Sequence, residues 1–168
     1  MTIQNASARN YGRVATAISR SGTREDRMQR VVDALWEELG GKRVSWLGFY
    51  LTNASGEDMI LGPRRDKPAC SPIGMHGACG RAFNSQRALV VTDVAKLGEG
   101  YVACDPRDRS EVVIPMLEPD GATCWGVFDA DSFDTDAFAE DDVNGLYLVF
   151  LAAALSPDPA GRKATEVV

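Results

Sequence analysis

The sequence of 168 residues predicts an α+β fold, in which helices pack against an antiparallel sheet. Helical periodicity marks both ends of the chain, whereas short apolar segments separated by turns occupy its middle. The predicted order of elements is helix, hairpin, short connections, hairpin and helix. Two long connections lack predicted secondary structure. Because loops of that length in a compact domain usually carry function, we expect both connections to be functional.

Two helices are predicted in the N-terminal part of the chain. Residues 6–19 are rich in helix-forming residues. Thr23 is expected to be the N-cap of the second helix, with Asp26 giving a motif close to a capping box. Apolar residues then repeat at spacings of three and four, which predicts one buried face: Met28, Val31, Val32, Leu35, Trp36 and Leu39. This helix is expected to end at Gly40.

The middle of the chain has the composition of short strands. They are predicted at residues 44–51, 59–62, 89–92, 111–117 and 125–131. Turn-forming residues join the first two strands and also the last two, so each of these pairs is expected to form an antiparallel hairpin. A short helix is predicted over residues 77–85, between the two long connections.

A C-terminal helix is predicted over residues 139–155, because its first turn is acidic and suits the positive end of the helix dipole. The residues that follow, 158–168, are expected to be disordered. We therefore predict one domain over residues 1–157, with helices in about 6–40 and the sheet and loops in 44–132. A hydrophobic content of 45% allows a chain of this length to bury one full core.

The sequence also indicates the cellular location and argues against two classes of binding partner, membranes and nucleic acids. The first residues lack the basic start and apolar stretch of a signal peptide, and no segment approaches the roughly 18 apolar residues that span a bilayer. We therefore expect a cytoplasmic protein without a membrane partner. A net charge of −6 argues against nucleic acid as a partner.

Three of the four cysteines, Cys70, Cys79 and Cys104, lie in segments punctuated by Pro, Gly and Asp. Such segments turn and reach solvent, so these thiols are expected to be partly exposed. Structural disulfides are uncommon in the cytoplasm, and grouped cysteines there indicate catalysis, redox chemistry or metal binding. The alternative is that they are ordinary thiols without a function. Cys124 lies in a strand-like run and is expected to pack in the core.

A zinc site is one alternative for this group of residues. Cys70, His76, Cys79 and Cys104 offer three thiolates and one imidazole, a set that zinc accepts. Their spacing is unlike that of common zinc motifs, and the sequence has no Cys-x2-Cys pair. The favoured prediction therefore has no bound metal, and His76 is expected to have no catalytic role.

Several segments occur in an order that is more specific than any one motif. They are WLGFYL at 46–51, LGP at 61–63, KPAC at 67–70, GACG at 77–80, VACD at 102–105, SEVVIP at 110–115 and GVFDADS at 126–132. Together they resemble the free methionine-(R)-sulfoxide reductase family over roughly residues 28–155. The resemblance implies a single GAF domain, with a central antiparallel sheet flanked by helices. It also implies a homodimer and a small-molecule pocket that the two cysteine-bearing loops close.

The chain departs from the family pattern at four places. Ala78 replaces an apolar residue that is often Val, and Gly100-Tyr101 replaces a common Gly-His pair. The acidic strand reads Phe-Asp-Ala-Asp rather than Leu-Asp-Ile-Asp, and the loop 63–66 is more charged than usual. All three thiols and both aspartates are retained, so the departures concern pocket shape and substrate affinity.

The resemblance implies thiol-dependent reduction of free L-methionine-(R)-sulfoxide. Cys104 would attack the sulfoxide sulfur and become a sulfenic acid, and Cys70 would resolve that acid as an intramolecular disulfide. Cys79 would be an alternative resolving thiol or an auxiliary one. Thioredoxin or another dithiol would act as the external reductant, and no bound cofactor is expected.

Three acidic residues are candidates for substrate binding: Glu111, Asp129 and Asp131. Residues two apart in a strand face the same side, so the two aspartates are predicted to point together. Buried carboxylates need a partner, and the ammonium group of a free amino acid is one. Crowding would also raise one carboxyl pKa, which would let that group act as an acid. The alternative is that the aspartates face solvent or cap the following turn.

Trp46 and Tyr50 lie four residues apart on one predicted strand and so share a face. The resemblance makes them an aromatic wall beside the substrate sulfur, although ordinary core aromatics would fit the pattern equally well. A second function also remains open, because GAF domains serve as modules that bind small ligands or sense redox state without chemistry. The retained thiols favour the enzyme.

Overall fold

The computed structural model describes residues 8–99, 101 and 103–168. Four α-helices and one short 3-10 helix lie among them: α1 (Tyr11–Ala17), α2 (Arg24–Leu39), α3 (Ala78–Ser85), the 3-10 helix (Val94–Leu97) and α4 (Glu140–Ala152). The strands are β1 (Trp46–Thr52), β2 (Asp58–Arg65), β3 (Ile73–Gly74), β4 (Leu89–Val91), β5 (Ser110–Leu117), β6 (Cys124–Ser132) and β7 (Glu166–Val167). No helix in these ranges is long and apolar enough to cross a membrane.

The strands form one sheet in the order β3-β2-β1-β6-β5-β4-β7. Every neighbouring pair is antiparallel except β4 and β7, which run parallel. The predicted α+β class and its antiparallel sheet are therefore confirmed. The register of the central strands places Glu111 of β5 opposite Asp131 of β6, and it places Asp129 opposite Val113.

One face of the sheet carries the main hydrophobic core. Helices α1, α2 and α4 contribute to it, together with alternate residues of the central strands. Phe49, Phe128 and Phe150 form its centre, fully buried, with ring centroids 5.1–6.0 Å apart. Burial of each such ring contributes roughly 1.5–3 kcal/mol to folding. The opposite face supports α3 and a smaller cluster that includes Trp46 and Tyr50.

The N-terminal helices differ in how well the sequence predicts them. In α2 the Thr23 side chain accepts from the Asp26 N–H, and the Asp26 side chain accepts from the Thr23 N–H, so the predicted capping box is confirmed. Helix α1 is shorter than predicted, because Asn10 caps it and Arg9 extends away to bind Asp142 at 2.8 Å. Residues 6 and 7 of the predicted helix lie outside the described residues.

The prediction of a disordered tail is wrong. Residues 158–168 return to the sheet, where Glu166–Val167 pairs with β4 and the Val168 N–H donates to the Val90 carbonyl at 2.9 Å. The domain thus extends to residue 168 rather than to 157. The physical reason is that β4 would otherwise be an edge strand. Its unpaired N–H and C=O groups can form hydrogen bonds with another strand, irrespective of the composition of the tail.

The first long connection also contains more structure than predicted. Strand β2 continues to Arg65, and its pairing with β1 shifts register where Phe49 faces both Gly62 and Pro63. Proline is tolerated in a strand at such a bulge, because no ladder hydrogen bond is needed from its nitrogen. The second long connection includes the 3-10 helix. The bounds of the other elements match the predictions to within a few residues, with α4 ending earlier, at Ala152.

Candidate functional site

A cavity of about 250 Å³ lies on the face of the sheet that is opposite the main core. Strands β1, β5 and β6, helix α3 and both cysteine-bearing loops line it. The lining residues are Trp46, Tyr50, Ala69, Cys70, Ile73, Gly74, His76, Gly77, Ala78, Cys79, Tyr101, Cys104, Asp108, Glu111, Asp129 and Asp131. The cavity therefore brings together all eight residues that the sequence suggested for a site, although their roles remain predictions.

Three carboxyl groups form the floor of the cavity. One oxygen from each of Glu111, Asp129 and Asp131 lies within 4.8 Å of the others. Strand register produces this cluster, because Glu111 faces Asp131 and the two aspartates are two residues apart on β6. Asp129 is buried and Asp131 is half-buried, and both line the cavity, so the alternative that the two aspartates face open solvent is wrong. The turn after β6 is instead capped by Ser132, whose hydroxyl accepts from the Asp134 N–H at 3.1 Å.

The carboxyl groups differ in how their oxygens are satisfied. Glu111 Oε2 accepts a hydrogen bond from the Tyr101 hydroxyl at 2.6 Å. Asp129 Oδ1 is buried and has no hydrogen-bond partner among the described residues. A buried polar atom without a partner costs roughly 1–3 kcal/mol, and more for a charged group. Asp129 is therefore poised to accept from a donor that enters the cavity.

Burial and mutual repulsion shift the protonation of the cluster. Burial raises the pKa of Glu111 to about 7. Burial, and then the Glu111 carboxylate, raise the pKa of Asp129 well above its usual range, and burial with Asp129 does the same for Asp131. Asp108 adds a fourth acidic group, whose pKa burial raises to about 6. Such a cluster favours a cation, either an ammonium group or a metal ion.

The aromatic pair forms one wall of the cavity and also anchors a loop. Trp46 and Tyr50 share a face of β1, with ring centroids 6.1 Å apart. The Trp46 indole N–H donates to the Lys67 carbonyl at 3.0 Å, and the Tyr50 hydroxyl donates to the Cys70 carbonyl at 2.9 Å. Both aromatics therefore hold the Cys70 loop against the sheet.

Cys70 and Cys104 are joined by a disulfide, with their Cα atoms 5.7 Å apart. Both residues are exposed, and each lies within one of the two loops that border the cavity. A disulfide cannot ligate metal, so the zinc alternative loses two of its four ligands in this state. The remaining nitrogen ligand, His76, lines the cavity but is exposed.

Cys79 does not fit the prediction of a partly exposed thiol. It lies in the first turn of α3 and is buried, because that helix packs on β5 and β6. The next residue, Gly80, packs closely against the backbone of Met75, since a Cβ at Gly80 would lie 1.9 Å from the Met75 carbonyl oxygen. Burial, and then the nearby Asp129 and Glu111, raise the pKa of the Cys79 thiol. It is therefore neutral near pH 7 and a poor nucleophile.

Comparison with known proteins decides the family. The sequence profile of the GAF domain matches residues 23–156, most of the chain. This chain belongs to the GAF domain family. The free methionine-R-sulfoxide reductase of Saccharomyces cerevisiae is 40% identical over 115 residues, which are 67% of this GAF protein and 62% of the yeast protein. The chain thus spans about three fifths of the length of that relative.

Solved structures agree with this assignment. The reduced form of fRMsr from Staphylococcus aureus superposes on this GAF domain with a TM-score of 0.77 and 31% identity, covering 91% of this chain and 97% of that one. A free methionine-R-sulfoxide reductase from Neisseria meningitidis, in complex with its substrate, gives 0.75 and 26%, covering 92% and 91%. The resemblance predicted from the motifs is therefore confirmed, as is the GAF fold.

Sequence reasoning assigned no role to two polar residues of this GAF domain's cavity, Tyr101 and Asp108. Both lie in the loop that carries Cys104. Tyr101 was noted only as a departure from the family pattern, and the only signal for Asp108 was its proximity to that cysteine. Nothing in the charged run around Asp108 distinguishes it from its exposed neighbours. Ser45 holds it inward, since the Ser45 hydroxyl donates to Asp108 Oδ1 at 3.4 Å, a contact between residues 63 apart in sequence.

Proposed function

We propose that this GAF protein is an oxidoreductase that reduces free L-methionine-(R)-sulfoxide to methionine with its own thiols. One observation carries the proposal. A single cavity combines the Cys70–Cys104 disulfide with a buried carboxylate oxygen, Asp129 Oδ1, that has no hydrogen-bond partner among the described residues. The relatives named free methionine-R-sulfoxide reductase support the substrate class.

The two charged groups of a free amino acid match two parts of the cavity. The substrate ammonium is proposed to lie on Glu111, Asp129 and Asp131, where it supplies the missing donor. The substrate carboxylate is proposed to accept from backbone N–H groups at the start of α3. Gly77 is the N-cap there and has no side chain to accept from them. A methionine sulfoxide within a peptide lacks both charges.

The sulfoxide end of the substrate is proposed to lie against Trp46 and Tyr50. Their rings provide an apolar surface for the methyl group, and their π faces favour the sulfonium-like sulfur that forms on protonation. Bonds from both side chains to the Cys70 loop fix this wall relative to the thiols. The aromatic pair is thus proposed to orient the sulfur for attack.

The first chemical step transfers an oxygen atom between two sulfurs. The Cys104 thiolate attacks the substrate sulfur while a carboxyl group of the cluster protonates the sulfoxide oxygen. The oxygen passes to Cys104, methionine leaves with two more electrons on its sulfur, and Cys104 is left as a sulfenic acid. Glu111 suits the acid role because its pKa of about 7 leaves it partly protonated at neutral pH.

The second step converts the sulfenic acid into a disulfide, and a third step regenerates the thiols. The Cys70 thiolate attacks the sulfenic sulfur, a disulfide forms and the oxygen leaves as water. The disulfide between these two residues supports this pairing, whereas the buried Cys79 is better suited to an auxiliary role. An external dithiol, which we propose to be thioredoxin, then reduces the exposed disulfide by exchange. The proposal also includes a homodimer and a cytoplasmic location. The cytoplasm is proposed because regeneration of the thiols needs a reducing compartment.

Parallel assays on two substrates test the function. Free methionine-(R)-sulfoxide and the same residue inside a short peptide would be compared with thioredoxin as reductant. We expect kcat/KM for the free amino acid to be higher by at least about 100-fold, since two ionic contacts are lost in the peptide. Equal values would remove the free amino acid as the substrate.

A thiol titration separates the enzyme from a module that only binds. Adding methionine sulfoxide to the fully reduced protein, without another reductant, is expected to consume two thiols per subunit, because one disulfide forms. Cys70→Ala/Cys104→Ala is the matched control and is expected to lose none. An unchanged thiol count in the unmodified protein would favour ligand binding without chemistry.

A further inference from the structure

An ion pair joins the two cysteine-bearing loops beside the disulfide. The Lys67 ammonium donates to Asp105 Oδ2, across 38 residues of sequence. Lys67 precedes Cys70 by three residues, and Asp105 directly follows Cys104. Among the described residues, this pair is the one hydrogen-bonded side-chain link, apart from the disulfide, between residues 66–76 and 101–109.

Asp105 is held in place from its own loop as well. The Arg107 guanidinium donates to both of its oxygens, at 3.0 Å from Nε and 2.8 Å from a terminal nitrogen. Arg107 and then Lys67 hold the pKa of Asp105 well below its usual range. Asp105 is therefore a carboxylate near neutral pH, and the Lys67 ammonium has a charged partner there.

The Phe133 ring packs against the Lys67 side chain and orients its ammonium group. The Lys67 ammonium lies 5.0 Å from the centroid of Phe133, and the Arg107 guanidinium lies 4.5 Å from the same centroid. Phe133 directly follows β6, so the sheet holds its backbone in place. The Lys67 backbone is fixed separately by its carbonyl, which accepts from Trp46. Both ends of the lysine side chain are thus defined.

We propose that Lys67 and Asp105 are positioning residues that hold Cys70 close to Cys104 while no disulfide joins the two residues. This inference rests on the proposed function, because it concerns the resolving step of that reaction. Three residues of extended chain reach at most about 11 Å, and Asp105 is adjacent to Cys104. The ion pair therefore limits the separation of the thiols when no disulfide joins them, and it raises the effective concentration of Cys70 at the Cys104 sulfenic acid.

In the resolving step, the Cys70 sulfur bonds to the Cys104 sulfur and the S–O bond of the sulfenic acid breaks. The oxygen leaves as hydroxide and takes up a proton to become water. The sulfoxide has already supplied the oxidising equivalent. Neither Lys67 nor Asp105 exchanges electrons, so the pair acts on the rate of this step and not on the preceding oxygen transfer.

The first test measures an equilibrium and needs no sulfoxide. Each reduced variant is equilibrated with a glutathione buffer, and the fraction of Cys70–Cys104 disulfide gives the effective concentration of the two thiols. We expect Lys67→Met to lower it about fivefold, Asp105→Asn to do the same, and the double variant to lose no more than either single one. Lys67→Arg is expected to restore most of the value.

Arg107→Met is the matched control, since it removes a cation from Asp105 and from Phe133 without touching the link between the loops. We expect it to stay within twofold of the unmodified protein. Additive losses in the double variant would overturn the proposal. An equal loss in Arg107→Met would also do so, because it would reduce the pair to ordinary local packing.

The second test follows one turnover by rapid quench. Lys67→Met is expected to form the disulfide about fivefold more slowly while methionine release stays within twofold, so sulfenic acid accumulates. Slowing of both steps by the same factor would indicate general loosening and would contradict the positioning role. If the unmodified protein released no methionine while the glutathione result held, the function would fail and the positioning pair would stand.

Discussion

The two faces of the central sheet are made by the same strands and have opposite properties. On β6, Phe128 and Ala130 point into the helical core, whereas the residue between them, Asp129, points into the cavity. The core side is dry and close-packed around aromatic rings 5.1–6.0 Å apart. The cavity side holds carboxyl groups whose pKa values burial has raised.

The two faces therefore contribute to the stability of the fold with opposite signs. Apolar burial on the helical face stabilises the fold, while desolvated acidic groups on the other face destabilise it in the absence of a ligand. Neighbouring residues of one strand should therefore respond to substitution in opposite ways. A change at Phe128 is expected to affect folding, and a change at Asp129 is expected to affect catalysis.

The largest effect is expected at the mouth of the cavity. Cys104→Ser should abolish turnover, by at least about 10³-fold, because a serine hydroxyl cannot replace the Cys104 thiolate and Cys70, the other exposed thiol, is proposed only to resolve the sulfenic acid. Cys70→Ser should release one methionine per subunit and then stop at the sulfenic acid. Methionine release with and without thioredoxin measures both. Cys124→Ser is the control and should keep its activity. Full activity of Cys104→Ser with thioredoxin would refute its role as nucleophile.

The next largest effect is expected on stability, from a substitution on the helical face of the sheet. Phe128→Ala removes a fully buried ring that packs on Phe49 and Phe150. It should lower the free energy of unfolding by about 3–5 kcal/mol. Urea unfolding gives this value, and activity per folded molecule should stay within about threefold. A much larger loss of activity than of stability would show that the two faces are not separate.

The pH dependence of stability sharpens the comparison on the cavity side. The Glu111 pKa is about 7 in the folded protein against an ordinary 4.5, so the folded state retains a proton that the unfolded state loses. Stability should therefore fall as the pH rises from about 4.5 to 7, by on the order of 2 kcal/mol from this residue. Glu111→Gln should flatten that fall. Urea unfolding at pH 5 and pH 8 tests it, and an unchanged slope would contradict the assignment.

The smallest effect is expected from the two aspartates, and it tests the comparison most directly. Asp129→Asn and Asp131→Asn should each lower kcat/KM by at least tenfold, about 1.4 kcal/mol, because the ammonium contact loses its charge. Their melting temperatures should be equal to or higher than that of the unmodified protein, since a buried charge is removed. Destabilised variants with normal kinetics would return these residues to a structural role.

Local patterns accounted for much of the fold and for most of the site residues. The capping box of α2 depends on residues three apart, and the sharing of one face by Asp129 and Asp131 depends on the strand period alone. Both are decided within a few residues, so a reader of the sequence can find them. The ordered motifs then identified the family, because they carry the cysteines and the acidic strand in one arrangement.

Contacts between distant residues accounted for what the sequence did not reveal. Cys79 is buried because α3 packs on the sheet, and Glu166–Val167 forms a strand because β4 offers an edge. Tyr101 bonds to Glu111, and Ser45 draws Asp108 inward. None of these contacts leaves a periodic signal, since each depends on where another segment lies.

Helix and strand periods and turn residues are local properties of the chain, so they predicted the class of fold and the order of its main elements. The eight residues that line the cavity were predicted from the strand period and the turn-rich segments together with the resemblance to a known family. Which groups are buried, which oxygen lacks a donor and which side chains link the two loops could be read only from the folded structure. Burial and hydrogen bonding arise from the packing of segments that are far apart in sequence, and protonation follows from both.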